Sequence, residues 1–114
     1  MPFVDVKISK KIMPEEEIFL KTELGKAISV FPGKSESWLM CNIADEQHIW
    51  FKGQNDAPAA FVEVKLFGGV DAGSADQFTA RISDLLEGKF GIPSSRIYVR
   101  YTGGNLWGWA GSNF

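Results

Sequence analysis

Cysteine and histidine are almost missing from this chain, since Cys41 and His48 stand alone among 114 residues. A single cysteine excludes an intrachain disulfide, a CxxC redox pair and a cysteine-rich zinc site. A single histidine, with no HxxxH spacing or carboxylate cluster around it, leaves no ligand set for a metal. No cofactor is expected. Strong charge of either sign is lacking too: 12 basic against 14 acidic residues give a net charge of −2, without the basic patch that nucleic-acid binding needs. No apolar run approaches the roughly 20 residues of a membrane span. The N-terminus shows none of a signal peptide's charged, apolar and cleavage regions. A cytoplasmic location is the simplest expectation, with secretion lacking a signal peptide left open.

What remains is an ordinary globular composition of a length that suits one domain, residues 1–114. Its unusual feature is aromatic. Trp107, Trp109 and Phe114 crowd the last eight residues, a region that is commonly frayed. They either pack into the core, cover a partner subunit or line a pocket; the last two together fit best.

Phe3, Val4, Val6 and Ile8 alternate with Asp5 and Lys7, a strand pattern. Pro14 and the run Glu15 to Glu17 open a helix predicted over 14–31, with Leu20, Leu24, Ala27, Ile28 and Phe31 on one face. Pro32-Gly33 stops it. Residues 38–43 read as a second strand, 49–51 as a short third, and 53–58 as a loop.

The pattern then repeats. Phe61-Val62-Glu63-Val64-Lys65-Leu66 follows Phe3 to Ile8 at an offset of 58, as do the helix pairs Leu20/Phe78, Leu24/Ile82 and Ile28/Leu86. Ser74 and Gln77 predict the second helix's capping box. One residue later in register, Phe31, Ser35, Trp38 and Leu39 face Phe90, Ser94, Ile97 and Tyr98, making 97–101 the copy of strand 38–43. The expected fold is a two-layer α+β (α/β) domain. It comprises tandem β-α-β units (about 2–58 and 60–114), with a four-stranded mixed sheet carrying both helices on one face. Apolar residues on both strand faces (Phe3, Val4; Phe61, Val62; Val99) leave the second face in need of a cover. A cyclic homo-oligomer is predicted to supply it, with 49–51 and 106–109 as candidate edge strands.

Pro2 is the candidate catalytic residue. Removal of the initiator Met from a small neighbour is expected, and it would leave a secondary amine fixed at the start of a buried strand. Such an amine is a nitrogen base with no mobile side chain.

A doubled β-α-β chain of this length resembles the macrophage migration inhibitory factor family of the tautomerase superfamily. The likeness rests on Met1-Pro2-Phe3, Gly33-Lys34, Phe61 to Val70 with Phe67-Gly68-Gly69, Ser95 to Val99, and Gly108-Trp109 ending in Phe114. It implies a homotrimer with sites at subunit interfaces, no cofactor, and Pro2 as general base. The activity implied is keto-enol tautomerisation of small anionic aromatic 2-oxo acids such as phenylpyruvate, or isomerisation of dopachrome derivatives. By the same resemblance Lys34 holds the substrate carboxylate and keeps Pro2 neutral, and the backbone N–H of Phe67 donates to the ligand. Tyr98 enters from the adjacent subunit, while Trp107, Trp109 and Phe114 wall the pocket. This chain departs from the pattern at Leu66, Phe67 and Arg100, where relatives carry serine, isoleucine and asparagine, and its tail is about two residues shorter than in the animal proteins. Arg100 either binds the anionic substrate or pairs with an acid across the interface. The vertebrate CxxC is absent, so thiol-disulfide chemistry is not implied.

Three other readings compete. One keeps the proline base but acts on another unsaturated 2-hydroxy acid, which Arg100 would favour. Another is a non-catalytic, cytokine-like trimeric binding protein. The last is a plain ferredoxin-like monomer. Pro32-Gly33-Lys34-Ser35 is no phosphate loop, because the first glycine would fall at Ile28 and the segment follows a helix.

Overall fold

The computed structural model describes residues 1–114. Its elements run β1 (Pro2–Ile8), α1 (Pro14–Ala27), β2 (Met40–Ala44), β3 (Ala60–Leu66), α2 (Ala72–Phe90) and β4 (Ile97–Thr102). A short ladder of β5 (Gly108–Trp109) with β6 (Ser112–Asn113) closes the chain. The main sheet has the order β2-β1-β3-β4. β1 and β3 are antiparallel at its centre, and each outer strand runs parallel to its neighbour. Parallel neighbours require a crossover, and α1 and α2 provide one each.

Both helices cover the same face. Leu20, Leu24, Phe78, Ile82 and Leu86 share one buried core with Val4, Val6, Val62 and Val64. Burying an aliphatic or aromatic side chain of this size contributes about 1.5–3 kcal/mol, so these alternating positions fix which way each strand faces. Pro14 begins α1, and the Glu16 carboxylate reaches back to accept the Met13 N–H at 2.8 Å.

The doubling is closer than the sequence suggests. Phe3 pairs with Met40 and Phe61 with Tyr98, so the offset of 58 holds through the outer strands and does not slip by one. Other boundaries also move. α1 ends at Ala27, and 28–30 tighten into a 3₁₀ turn. α2 begins at Ala72 because Asp71, not Ser74, is its cap: the Asp71 carboxylate accepts both the N–H and the hydroxyl of Ser74. A 3₁₀ turn over Glu36–Trp38 delays β2 to Met40. Residues 49–51 form no strand, since Phe51 makes only an isolated bridge to Gln54. Of 106–109, only Gly108–Trp109 is extended, and it pairs within the tail.

The second sheet face carries the apolar residues expected, but interleaved with charge. Val99 packs against the helix-side core. Alternation turns Phe3, Phe61 and Tyr98 outward, but among Asp5, Lys7, Glu63, Lys65 and Arg100. The Lys7 ammonium lies 2.9 Å from Asp5 and 4.0 Å from Glu63, and the Asn42 amide donates to Asp5 at 2.9 Å. This face is mixed: the charged side chains alternate with Phe3, Phe61, Met40 and Tyr98, and Met40 and Tyr98 are exposed there, as are Trp38, Trp50, Leu106 and Trp109 elsewhere.

No helix is long and apolar enough to cross a membrane. No group of three His, Cys, Asp or Glu side chains is placed to hold a metal ion.

Candidate active site

Pro2 ends the central ladder, buried and paired with Leu66. Its nitrogen carries Met1 in amide linkage, so in this form its lone pair is delocalised into the Met1 carbonyl and cannot act as a base. Met1 therefore occupies the position that matters, and its contacts report what surrounds it. Its carbonyl accepts the N–H of Phe67 at 3.0 Å. Burial, and then the charge of Lys34, hold its amine below the ordinary value for a chain terminus. A nitrogen base placed here is therefore biased toward its neutral form.

Lys34 is delivered by the end of the first helical segment. Gly33 sits at φ +77°, a left-handed conformation that strains any residue with a Cβ. The turn it allows lets the Lys34 N–H bond the Phe31 carbonyl at 3.0 Å. The Lys34 ammonium then donates to the Phe67 carbonyl at 2.9 Å. An ammonium has three donors, so this bond anchors the side chain and leaves others for an anion. Phe67 presents its N–H to the site, its carbonyl to Lys34, and its ring to Phe114, at 5.1 Å between centroids.

The walls are aromatic. A recess of about 550 Å³ is lined by Pro2, Phe3, Trp38, Lys65, Trp107 and Trp109 among others. A second, of about 400 Å³, lies between Met1, Trp38, Trp109, Ser112 and Phe114. Met1, Trp38 and Trp109 line both, so the Met1 residue forms part of the partition between them. Trp38 meets Trp109 edge-on at 5.2 Å. The tail that carries these rings is tied to the end of β3 by reciprocal 2.8 Å hydrogen bonds between Gly68 and Gly104. At Gly103 an added Cβ would stand 2.5 Å from the Gly68 carbonyl oxygen, so only glycine permits that approach.

The chain thus brings together Pro2, Lys34, Phe67, Trp107, Trp109 and Phe114. It does not bring Tyr98 or Arg100 to them. Tyr98 pairs with Phe61, at the opposite end of β3 from Leu66; five residues along the strand, at about 3.3 Å each, are roughly 16 Å. Its ring is largely exposed and edge-on to Phe51 at 5.5 Å. Arg100 lies opposite Glu63 on the mixed face and is exposed. Three contributors were not singled out as site residues from the sequence: Trp38, Lys65 and Met1 itself. Trp38 carries a signal in retrospect, as a large aromatic just beyond the helix stop and Lys34.

A larger recess, about 660 Å³, opens at the far end of β1 around Lys10, His48 and Trp50. It contains none of the groups gathered at Pro2.

Comparison with known proteins agrees with this fold. The family model for macrophage migration inhibitory factor matches residues 1–114. A macrophage migration inhibitory factor homolog of Trichuris trichiura is 35% identical over 107 residues, covering 90% of this chain and 92% of the relative. Among solved structures, Leishmania major MIF2 superposes with a TM-score of 0.91 at 32% identity, over 100% of this chain and 97% of that one. The macrophage migration inhibitory factor-like protein of Entamoeba histolytica gives 0.85 at 28% identity, over 99% and 98%. A doubled β-α-β chain with its first strand's proline set in an aromatic recess is a tautomerase-superfamily fold. The chain belongs to the macrophage migration inhibitory factor family.

Proposed function

We propose that this protein is a keto-enol tautomerase for phenylpyruvate-type 2-oxo acids, with the Pro2 amine, freed by removal of Met1, as its base. Family membership supports tautomerase-like chemistry in general. The observation that carries the finer reading is the convergence on one point of the first strand's proline, the Lys34 ammonium and the Phe67 N–H.

The neutral amine takes a proton from the carbon beside the carbonyl. The C–H pair becomes the new C=C bond, and the carbonyl π pair moves to oxygen, which takes up a proton; the reverse reaction retraces these steps. A base suits this work when its pKa lies near the working pH, and burial beside Lys34 acts in that direction. Lys34 holds the substrate carboxylate. The Phe67 N–H, released from the Met1 carbonyl, is a fixed donor for developing negative charge and needs no reorganisation. Trp107, Trp109 and Phe114 accept the aryl ring.

The assembly proposed is a homotrimer. Tyr98 and Arg100 lie too far from Pro2 to serve their own chain's site, and a neighbouring copy would bring them to it. The exposed Trp38, Met40, Trp50 and Leu106 are apolar area that association would cover.

The test combines intact mass with kinetics on protein from its natural host. A chain that starts at Pro2, turns over phenylpyruvate and loses that turnover in Pro2→Gly supports the reading. A Pro2-started chain without turnover, or turnover that survives Pro2→Gly, overturns it in favour of a binding protein.

A further inference from the structure

Lys65 is the cation that the mechanism above leaves unused. It shares the recess of about 550 Å³ with Pro2, and it also lines an adjoining groove of about 430 Å³ with Thr102, Gly103, Asn105 and Trp107. The two spaces meet at Lys65 and Trp107. No acidic side chain lines either of them.

Its position follows from the strand. Leu66 turns inward to pair with Pro2 and fill the core, so Lys65, one residue earlier, points to the open face beside Phe3. The ammonium rests 5.9 Å from the centre of the Phe3 ring. It takes no part in the chain's ion pairs, which are Lys7 with Asp5, Lys7 with Glu63, and Lys26 with Glu23. Asp5 feels its charge, but Lys7 and Asn42 already hold that carboxylate, and Glu63, two residues along the same strand, lies 4.0 Å from Lys7. Lys34 stands elsewhere around the same proline, bonded to the Phe67 carbonyl.

From this placement we infer that Lys65 is a specificity residue forming a second anion subsite, so that the preferred substrates are 2-oxo acids bearing a further carboxylate away from the reacting carbons. The inference rests on the tautomerase reading for its substrate class, with Lys34 taking the 2-oxo carboxylate. Two cations at different points around Pro2, Lys34 beside the Met1 amine and Lys65 in the recess that Pro2 lines, select a dianion over a monoanion. Arg100 of a neighbouring copy would add to the same field.

Phenylpyruvate and (4-carboxyphenyl)pyruvate are the probes, compared on the Pro2-started protein and on Lys65→Met. The expected result is a preference for the dianion in kcat/KM that falls by about 10- to 150-fold in Lys65→Met, the scale of one charge-assisted hydrogen bond. The loss lies in KM rather than kcat, because the subsite binds ground and transition states alike. Lys89→Met, on the outer helix, leaves the preference intact. Salt narrows the preference of the parent protein. Equal ratios in parent and Lys65→Met, with phenylpyruvate still turned over, overturn the inference and leave the tautomerase reading standing. Equilibrium binding of the dianion, followed by tryptophan fluorescence, separates the other failure: Lys65-dependent binding without turnover sustains the subsite and removes the enzyme. Binding that ignores Lys65 removes the subsite.

Discussion

The carbonyl of Met1 accepts the backbone N–H of Phe67 at 3.0 Å, so the first residue of the chain spends the donor that the second residue's chemistry would use. Retaining Met1 therefore blocks the proposed site three times over. It converts the Pro2 nitrogen to an amide, occupies the Phe67 N–H, and helps to partition the aromatic recess. A chain kept uncut is expected to lose at least about 100-fold in kcat/KM for phenylpyruvate, the lower range for a general base. It should also bind an unreactive aryl carboxylate such as cinnamate more weakly than the Pro2-started chain. Calorimetry on the two forms checks this; equal affinity would mean that Met1 does not stand in the ligand's place.

In the proposed mechanism Lys34 would act on the pH profile as well as on binding. Its charge lowers the pKa of the amine beside it, secondary to burial, and by the same logic that of a freed Pro2. Activity should rise with pH as the amine loses its proton. Lys34→Met removes a like charge, so the rising limb of kcat/KM moves to higher pH while KM increases. A profile that stays in place, with KM alone raised, would restrict Lys34 to carboxylate binding.

The tail was the least readable part of the site from sequence. Its aromatics were evident, but only the Gly68–Gly104 bonds and the close approach at Gly103 show how the last residues are held against β3. The Phe114 ring lies tilted against Phe67, 5.1 Å between centroids, a contact worth about 0.5–1.5 kcal/mol beyond burial. Phe114→Ala is expected to raise KM for phenylpyruvate by about 2- to 12-fold on that scale, with little change in kcat. Steady-state kinetics on the Pro2-started variant decide it.

Much of the fold was legible because period-two alternation and three- to four-residue spacing record burial directly. Val4, Val6, Val62 and Val64 could face only a core. The other sheet face was read only in part, because Phe3 and Phe61 each stand between an apolar neighbour (Met40, Tyr98) and a lysine (Lys65, Lys7). Register, which pairing alone reveals, decides that. Asp71 was missed as the cap of α2 because Ser74 fits the same pattern three residues later; both are polar, and only the finished hydrogen bonds separate them. Tyr98 and Arg100 illustrate a different limit, since one chain places them away from Pro2 and, on the proposed assembly, only a second copy would bring them to it.

The mixed sheet face also sets an acid response. Burial raises the Asp5 carboxyl, but the hydrogen bonds from Asn42 and Lys7, with the charges of Lys7 and Lys65, outweigh it, so the net shift is downward. The folded protein thus binds a proton at Asp5 less readily than the unfolded chain does. That stabilisation is fully present above the unfolded carboxylate pKa, roughly 3.9, and is lost as pH falls through the lower folded value. Asp5→Asn should lower stability at pH 7 and flatten its loss below about pH 4. Denaturant midpoints at pH 7 and in acid measure both effects. A variant as acid-sensitive as its parent would show that other carboxylates govern the response.

The core offers the plainest stability test. Leu24 and Phe78 are fully buried between α1, α2 and the sheet, and Phe78 also meets Phe31 at 5.6 Å and Tyr101 at 6.3 Å between ring centroids. Leu24→Ala is expected to cost about 2–5 kcal/mol and Phe78→Ala about 3–5 kcal/mol, the sum of lost transfer energy and the cavity left behind. Tyr101 closes the same cluster, its hydroxyl 2.7 Å from the Thr79 hydroxyl and donating to the Ala75 carbonyl at 2.9 Å. Tyr101→Phe keeps the ring and removes those bonds, so its cost should be smaller, about 1–3 kcal/mol. The ordering discriminates between two views of the core. If Tyr101→Phe destabilises as much as Phe78→Ala in urea unfolding, the hydroxyl bonds rather than the aromatic packing hold α2 to the sheet.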